Sequence, residues 1–218
     1  YLRTPPVTRD RIDFMTHHLE RSGYSPAALS AEFVRLHARM RAKLFAFIRP
    51  LHRTLRKYPP TDGSVDARYA RAIAYYLKPD LARALPLIDG LIAADRANPY
   101  FHELKGQMLF ENGRVKEALA PYRTAVRLLP DSSLLRVSLA QTLIETGGEA
   151  ETREAARHLQ SALADEKNNG FAWRLMATAH GRTGRMGLSF LALAEEALLQ
   201  LRMREAIGLA DKSKKKIA

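Results

Sequence analysis

The chain has 218 residues, 46% of them hydrophobic and 27% charged, ordinary proportions for a globular protein with a sizeable interior. It lacks cysteine, which excludes disulfides and thiolate zinc sites, and it has no apolar run near the ~20 residues that span a bilayer. The net charge of +12 is uneven: residues 1–60 carry 12 Lys and Arg against 4 acids, residues 61–211 carry 19 of each, and Lys212, Lys214, Lys215 and Lys216 supply the rest. The long central stretch is therefore neutral, and only the two ends are basic. The first residue is Tyr1 rather than Met, so the lack of a leader peptide says nothing about compartment. The absence of cysteine fits cytoplasm or bacterial periplasm alike.

Thr8 is placed to cap a helix from Arg9 to about Arg21 that Gly23 closes. Ser25 and Pro26 then open a longer helix that runs to about Ile48 and stops at Pro50. Leu29, Phe33, Leu36, Met40, Leu44 and Phe47 recur along it at steps of three and four, forming one apolar face that requires a partner, with Arg35, Arg39 and Lys43 on the opposite side. A short helix from Leu51 to Lys57 follows. Pro59, Pro60, Asp62 and Gly63 make a linker, so a basic leading segment of residues 1–60 precedes a second domain at 61–218.

From there a helix-turn-helix unit returns every 34 residues. In the stretch opened by Asn98, Pro99 and Tyr100, the informative positions are His102, Gly106, Leu109, Gly113, Ala118, Tyr122, Ala125 and Pro130. Gly106 and Ala118 are small where the two helices of the unit cross. One period earlier, Ala72, Tyr75, Ala84 and Ile88 hold equivalent places, and Pro79 stands at the turn. One period later come Leu139, Ala140 and Leu143, then Gly147 and Gly148 ahead of Ala155, Leu159 and Ala162, which implies three residues inserted between the helices. A fourth unit has Trp173, Ala177 and the turn Gly184. Its second helix, near residues 187–201, also serves as the first helix of a further pair through Phe190, Ala194 and Ala206.

This spacing resembles the tetratricopeptide (TPR) repeat. The resemblance implies an all-α, right-handed solenoid of about four helix pairs, with units near 65–98, 99–132, 133–169 and 170–203 and then a partial unit, preceded by two or three helices. It also implies a concave groove lined by the first helix of each pair: Asp66, Tyr69, Ile73 and Tyr76; Tyr100, Glu103, Gln107 and Phe110; Leu134, Val137, Gln141 and Ile144; Phe171, Arg174, Thr178 and Gly181. These walls are aromatic and aliphatic, which suits an apolar extended segment or helix. Glu103 and Gln107 depart from the Lys and Asn of carboxylate-clamp TPR adaptors. The alternative is that the leading helix itself fills part of the groove.

The run Thr4, Pro5, Pro6, Val7, Thr8, Arg9, Asp10, Arg11, Ile12 resembles a segment that follows the catalytic domain of bacterial HExxH zinc metallopeptidases with a TPR tail, the beta-barrel assembly-enhancing proteases. Stretches 70–76, 85–91 and 98–113 are also similar to that tail. Pro5 stands where the family has a His, so no metal role carries over, whereas Arg11 matches a family Arg and implies docking against a catalytic domain outside this chain. Zinc is expected only in that domain, with this chain holding no cofactor. The resemblance implies a periplasmic setting near the outer membrane; the alternative is cytoplasmic.

No catalytic constellation lies within the chain. His102, Glu103, Leu104, Lys105 and Gly106 lack the second His of a zinc helix. His17 and His18 are adjacent, so they point about 100° apart on a helix. Gly181, Gly184 and Gly187 follow a helix, unlike a phosphate loop, and the 187–191 stretch lacks the second glycine of a nucleophile elbow. The expected function is protein recruitment, either for such a protease or as a stand-alone adaptor. Binding of nucleic acid or anionic lipid by the basic leading segment is the lesser alternative, because no aromatic residues are interleaved with Arg35, Arg39 and Lys43.

Overall fold

The computed structural model describes residues 9–22 and 30–217. The expected roles of Thr8, Gly23, Ser25, Pro26 and Leu29, and most of the Thr4–Ile12 run, lie outside those residues. Among them twelve helices are present and no strand: α1 (Arg9–Arg21), α2 (Ala31–Ile48), α3 (Leu51–Lys57), α4 (Val65–Tyr76), α5 (Leu81–Ala94), α6 (Pro99–Glu111), α7 (Val115–Leu128), α8 (Ser133–Thr146), α9 (Glu149–Asp165), α10 (Gly170–Arg182), α11 (Met186–Leu199) and α12 (Met203–Ile217). The chain divides into two compact units, 1–41 and 42–218, and the division falls inside α2 rather than at the Pro59–Gly63 linker.

In the second unit α4/α5, α6/α7, α8/α9 and α10/α11 form successive antiparallel pairs, and α10 also packs against α8. The first helix of each pair begins at a side-chain cap. Ser64, Asn98, Ser132 and Asn169 accept hydrogen bonds from the backbone of Ala67, Tyr100, Leu135 and Ala172, which satisfies amides that the helix start leaves open. Within a pair the chain reverses through a residue with positive φ: Gly113 at 77°, Gly147 at 81° and Gly184 at 74°. After Gly113 and Gly184 the next amide, of Arg114 or Arg185, donates to the carbonyl of Leu109 or His180 at 2.8 Å, closing the helix end in the manner of a Schellman cap.

The turn between α11 and α12 has the same form. Leu201 has φ 58°, and the Arg202 amide donates to the Ala197 carbonyl at 2.9 Å. The chain thus leaves α11 by the turn that elsewhere joins the two helices within a pair. This is the physical basis of the double reading of that helix: α11 closes the pair with α10 and opens a pair with α12. Two buried hydroxyls tie the three helices together, Ser189 donating to the Ala177 carbonyl at 2.8 Å and Ser213 to the Gly187 carbonyl at 2.9 Å.

The three extra residues of the third unit are not between its helices. Glu149 starts α9 two residues after Gly147, just as Val115 follows Gly113 and Met186 follows Gly184, but α9 has 17 residues against 14 in α7 and α11. The insertion lengthens the second helix and leaves the turn unchanged.

Leu109, Ala118, Tyr122, Ala125, Leu139, Ala140, Leu143, Ala155, Leu159, Ala162 and Ala177 belong to one buried cluster through the middle of the solenoid. Each fully buried leucine contributes about 1.5–3 kcal/mol. A second cluster joins α4, α5 and α6 to Ala42 and Ala46 of α2, with Phe47 and Tyr58 packed on it. Phe47 belongs to the expected apolar face of α2 and meets this cluster together with Ala42 and Ala46, which are not part of that face. Phe33, Leu36, Met40 and Leu44 are exposed, while the smaller Ala42 and Ala46 are buried, because small residues let two helix backbones approach. Lys43, expected among the outward cations, reaches Glu103 of α6 at 3.1 Å.

Candidate protein-binding face

The groove residues expected on the first, or A, helices α4, α6, α8 and α10 divide sharply by burial. Tyr69, Ile73 and Tyr76 of α4, and Val137 and Ile144 of α8, are buried. For α4 the cause is the cover of α2 and α3: Tyr69, Ile73 and Tyr76 share a cluster with Ala42 and Ala46. Buried Arg71 donates to the carbonyls of Tyr58 and Pro59 at 3.3 and 2.5 Å, tying the end of α3 to α4. The Tyr76 hydroxyl donates to Glu111, and burial together with that carboxylate raises the phenol well above its usual range. These five side chains are buried in this structure, although the groove register names them. Asp66 is half-buried at the start of α4.

On α6, Glu103 is occupied by Lys43, whose ammonium also lies 6.0 Å from the centre of the Tyr100 ring. Gln107 donates to Glu111 at 2.9 Å, and Phe110 packs half-buried on the central cluster. His102 Nε2 lies 3.0 Å from the Arg96 carbonyl, so the residues around it serve a loop contact. On α10, Arg174 Nε donates to Glu196 of α11 at 2.8 Å. Gln141 and Gly181 are half-buried and Thr178 is exposed. Arg11 is exposed on α1.

What remains open is a ladder. Tyr100 is 47% exposed, Leu134 67% and Phe171 47%, and each sits at the second position of its A helix, on α6, α8 and α10 in turn. Three large apolar side chains thus hold equivalent places on α6, α8 and α10 and are open to solvent. Gln141 of α8 and Arg174 and Thr178 of α10 follow further along the same helices.

The fold so built is that of a TPR solenoid. Residues 49–99 and 80–133 match the family model described as a tetratricopeptide repeat. Among solved structures, the chain is similar to MamA MSR-1 C2, with a TM-score of 0.63 and 18% identity over 77% of this chain and 95% of that one. It is equally similar to YrrB, a TPR protein with an unusual peptide-binding site, with a TM-score of 0.63 and 17% identity over 77% of this chain and 87% of that one. At such identities the likeness concerns the fold alone. The antiviral innate immune response effector IFIT1 of Macaca fascicularis is 30% identical over 143 residues, which are 60% of this chain and 29% of that protein. The match thus spans under a third of the length of that relative. The family match covers residues 49–133, under half of the chain, and the described helices have the fold of a TPR solenoid.

Proposed function

We propose that the open face of α6, α8 and α10 binds an extended or helical segment of a partner protein, with apolar side chains of that segment resting on Tyr100, Leu134 and Phe171. The exposed ladder of these three residues carries the reading. Large apolar groups left at register positions of successive A helices are anchors for a ligand rather than solvated surface. Polar groups further along these helices fix orientation through hydrogen bonds, and Glu103, paired with Lys43, stands where a carboxylate clamp has a cation. Peptides selected by display against the whole chain test the reading: they lose affinity when Leu134 and Phe171 are changed to Asp, with helicity retained.

A finer reading rests on the Thr4–Ile12 run and its resemblance to the metallopeptidase tail. In it the solenoid recruits substrates or outer-membrane assembly partners, in the periplasm, for a zinc protease domain against which Arg11 docks, and the zinc belongs to that domain. The gene tests this directly: an HExxH motif within a few hundred codons upstream in the same reading frame supports it. A start codon next to Tyr1 leaves the stand-alone adaptor instead.

A further inference from the structure

A second surface shares no lining residue with the ladder of Tyr100, Leu134 and Phe171. Between α9, α10 and α11 runs a cleft of about 490 Å³ whose walls include Leu163, Trp173, Met176, Leu188 and Leu191, with Arg157, His180 and Arg185 at its polar edge. No carboxylate lines it. Leu188 and Leu191 are exposed, so the apolar wall is open to solvent.

The repeat register shows what is missing there. At the preceding junction Glu154, seven residues after the turn glycine Gly147, bridges α9 to Arg123 of α7, with Nε–Oε1 at 3.1 Å and a second contact at 2.6 Å. Seven residues after Gly184 stands Leu191. The acid that closes one junction is thus a leucine at the next, and among the described ion pairs none joins α9 to α11. Arg157 and Arg185 stand beside the furrow, Arg157 with Glu154 as its acidic neighbour on the same helix. His180 stands four residues before Gly184, where the earlier units bury Leu109 and Leu143. It brings a ring nitrogen to the wall that those units fill with hydrocarbon. Beyond Leu188, Lys216 of α12 lines an adjoining hollow with Arg185, and the Lys212 ammonium lies 6.0 Å from the Phe190 ring. Arg157 and Arg185 edge the apolar middle of the cleft, and Lys212 and Lys216 of α12 stand beyond it.

We infer that this cleft is a second docking site, for an acidic amphipathic helix of a partner protein. Its leucine-like side chains enter between Leu188, Leu191 and Trp173, and its carboxylates meet Arg157 and Arg185. Incoming acid takes the part that Glu154 plays one repeat earlier. The volume accommodates two or three aliphatic side chains. Attraction by Arg157, Arg185, Lys212 and Lys216 selects an acidic ligand over a neutral one and makes association sensitive to salt.

Trp173 is the single tryptophan of the chain and lines the cleft, so its emission reports occupancy without a label. The probe is a synthetic helix of about four turns with Leu on one face and Glu on the other, compared with its Gln counterpart. The Glu peptide is expected to change Trp173 emission saturably and to bind at least about tenfold more tightly than the Gln peptide. Leu191→Glu, at an exposed position that tolerates charge, rebuilds the missing acid and is expected to reduce that affinity at least about tenfold, as is the double variant Arg157→Gln/Arg185→Gln. Unchanged Trp173 emission overturns the site. Equal binding of the two peptides overturns the acidic assignment. Loss of binding in Leu134→Asp/Phe171→Asp but not in Leu191→Glu places the peptide on the ladder and also overturns it. Because the two sets of substitutions are separate, failure of the cleft site leaves the ladder reading standing.

Discussion

A methyl group on Gly106 would lie 2.8 Å from the ring of Tyr122, so the second repeat is closed by an aromatic ring laid directly on a bare helix backbone. Gly106 is in the middle of α6, where glycine costs roughly 1 kcal/mol relative to alanine. Tyr122 of α7 is buried, and burial pushes its phenol well above the usual range. The close approach is what offsets the poor helix propensity.

Gly106→Ala is therefore expected to destabilise the solenoid by about 1–3 kcal/mol, the range for overpacking a filled core, despite alanine being the better helix former. Gly208→Ala is the control. Nothing lies within 4 Å of a methyl group there, so this α12 substitution is expected to gain up to about 1 kcal/mol from propensity alone. Denaturant unfolding of both variants checks the opposite signs.

Much of this packing was legible beforehand. Gly106, Ala118 and the 34-residue return foretold helix pairs, and Gly113, Gly147 and Gly184 marked turns that need positive φ. Which A-helix positions stay open was not legible, because it depends on what another element covers. Tyr69, Ile73 and Tyr76 have the groove register, yet α2 and α3 lie over them. The signal was the pair Ala42 and Ala46, one helical turn apart and small enough for close approach, but the larger Phe33, Leu36 and Met40 dominated the periodicity of α2. The three-residue insertion was misplaced for a related reason. Spacing reveals that residues are extra, whereas helix α9 absorbs them without disturbing the turn at Gly147.

Leu201 holds a left-handed conformation and is 79% exposed. Its side chain returns little packing for a backbone state that costs an L-residue roughly 1–2 kcal/mol. Leu201→Gly is expected to raise stability by about 1 kcal/mol, read as a higher thermal midpoint. A fall would show that the α11–α12 turn is not the within-pair turn described above.

Acid should weaken the fold through two histidines. Burial, then Arg136, holds His158 below the ordinary imidazole range, and burial, then Arg185, does the same for His180. The unfolded chain therefore takes up these protons first. The stability they contribute is full above about pH 6.5 and is lost as pH falls through the lowered folded values. Glu154, held low by Arg123, adds a loss of the same sign further into the acid range. The thermal midpoint is expected to decline from about pH 7 to pH 5, and His158→Gln/His180→Gln should flatten that decline. A slope unchanged by both substitutions would contradict the assignment.

The central claim is that the open ladder of Tyr100, Leu134 and Phe171, and not the covered face of α4, receives a partner segment. Its most direct measurement is the affinity of display-selected peptides for the whole chain and for Leu134→Asp/Phe171→Asp, alongside circular dichroism. The account predicts an affinity loss of at least about tenfold, roughly 1.4 kcal/mol, at unchanged helicity. Peptides that bind the doubly substituted chain as tightly as the original would contradict it.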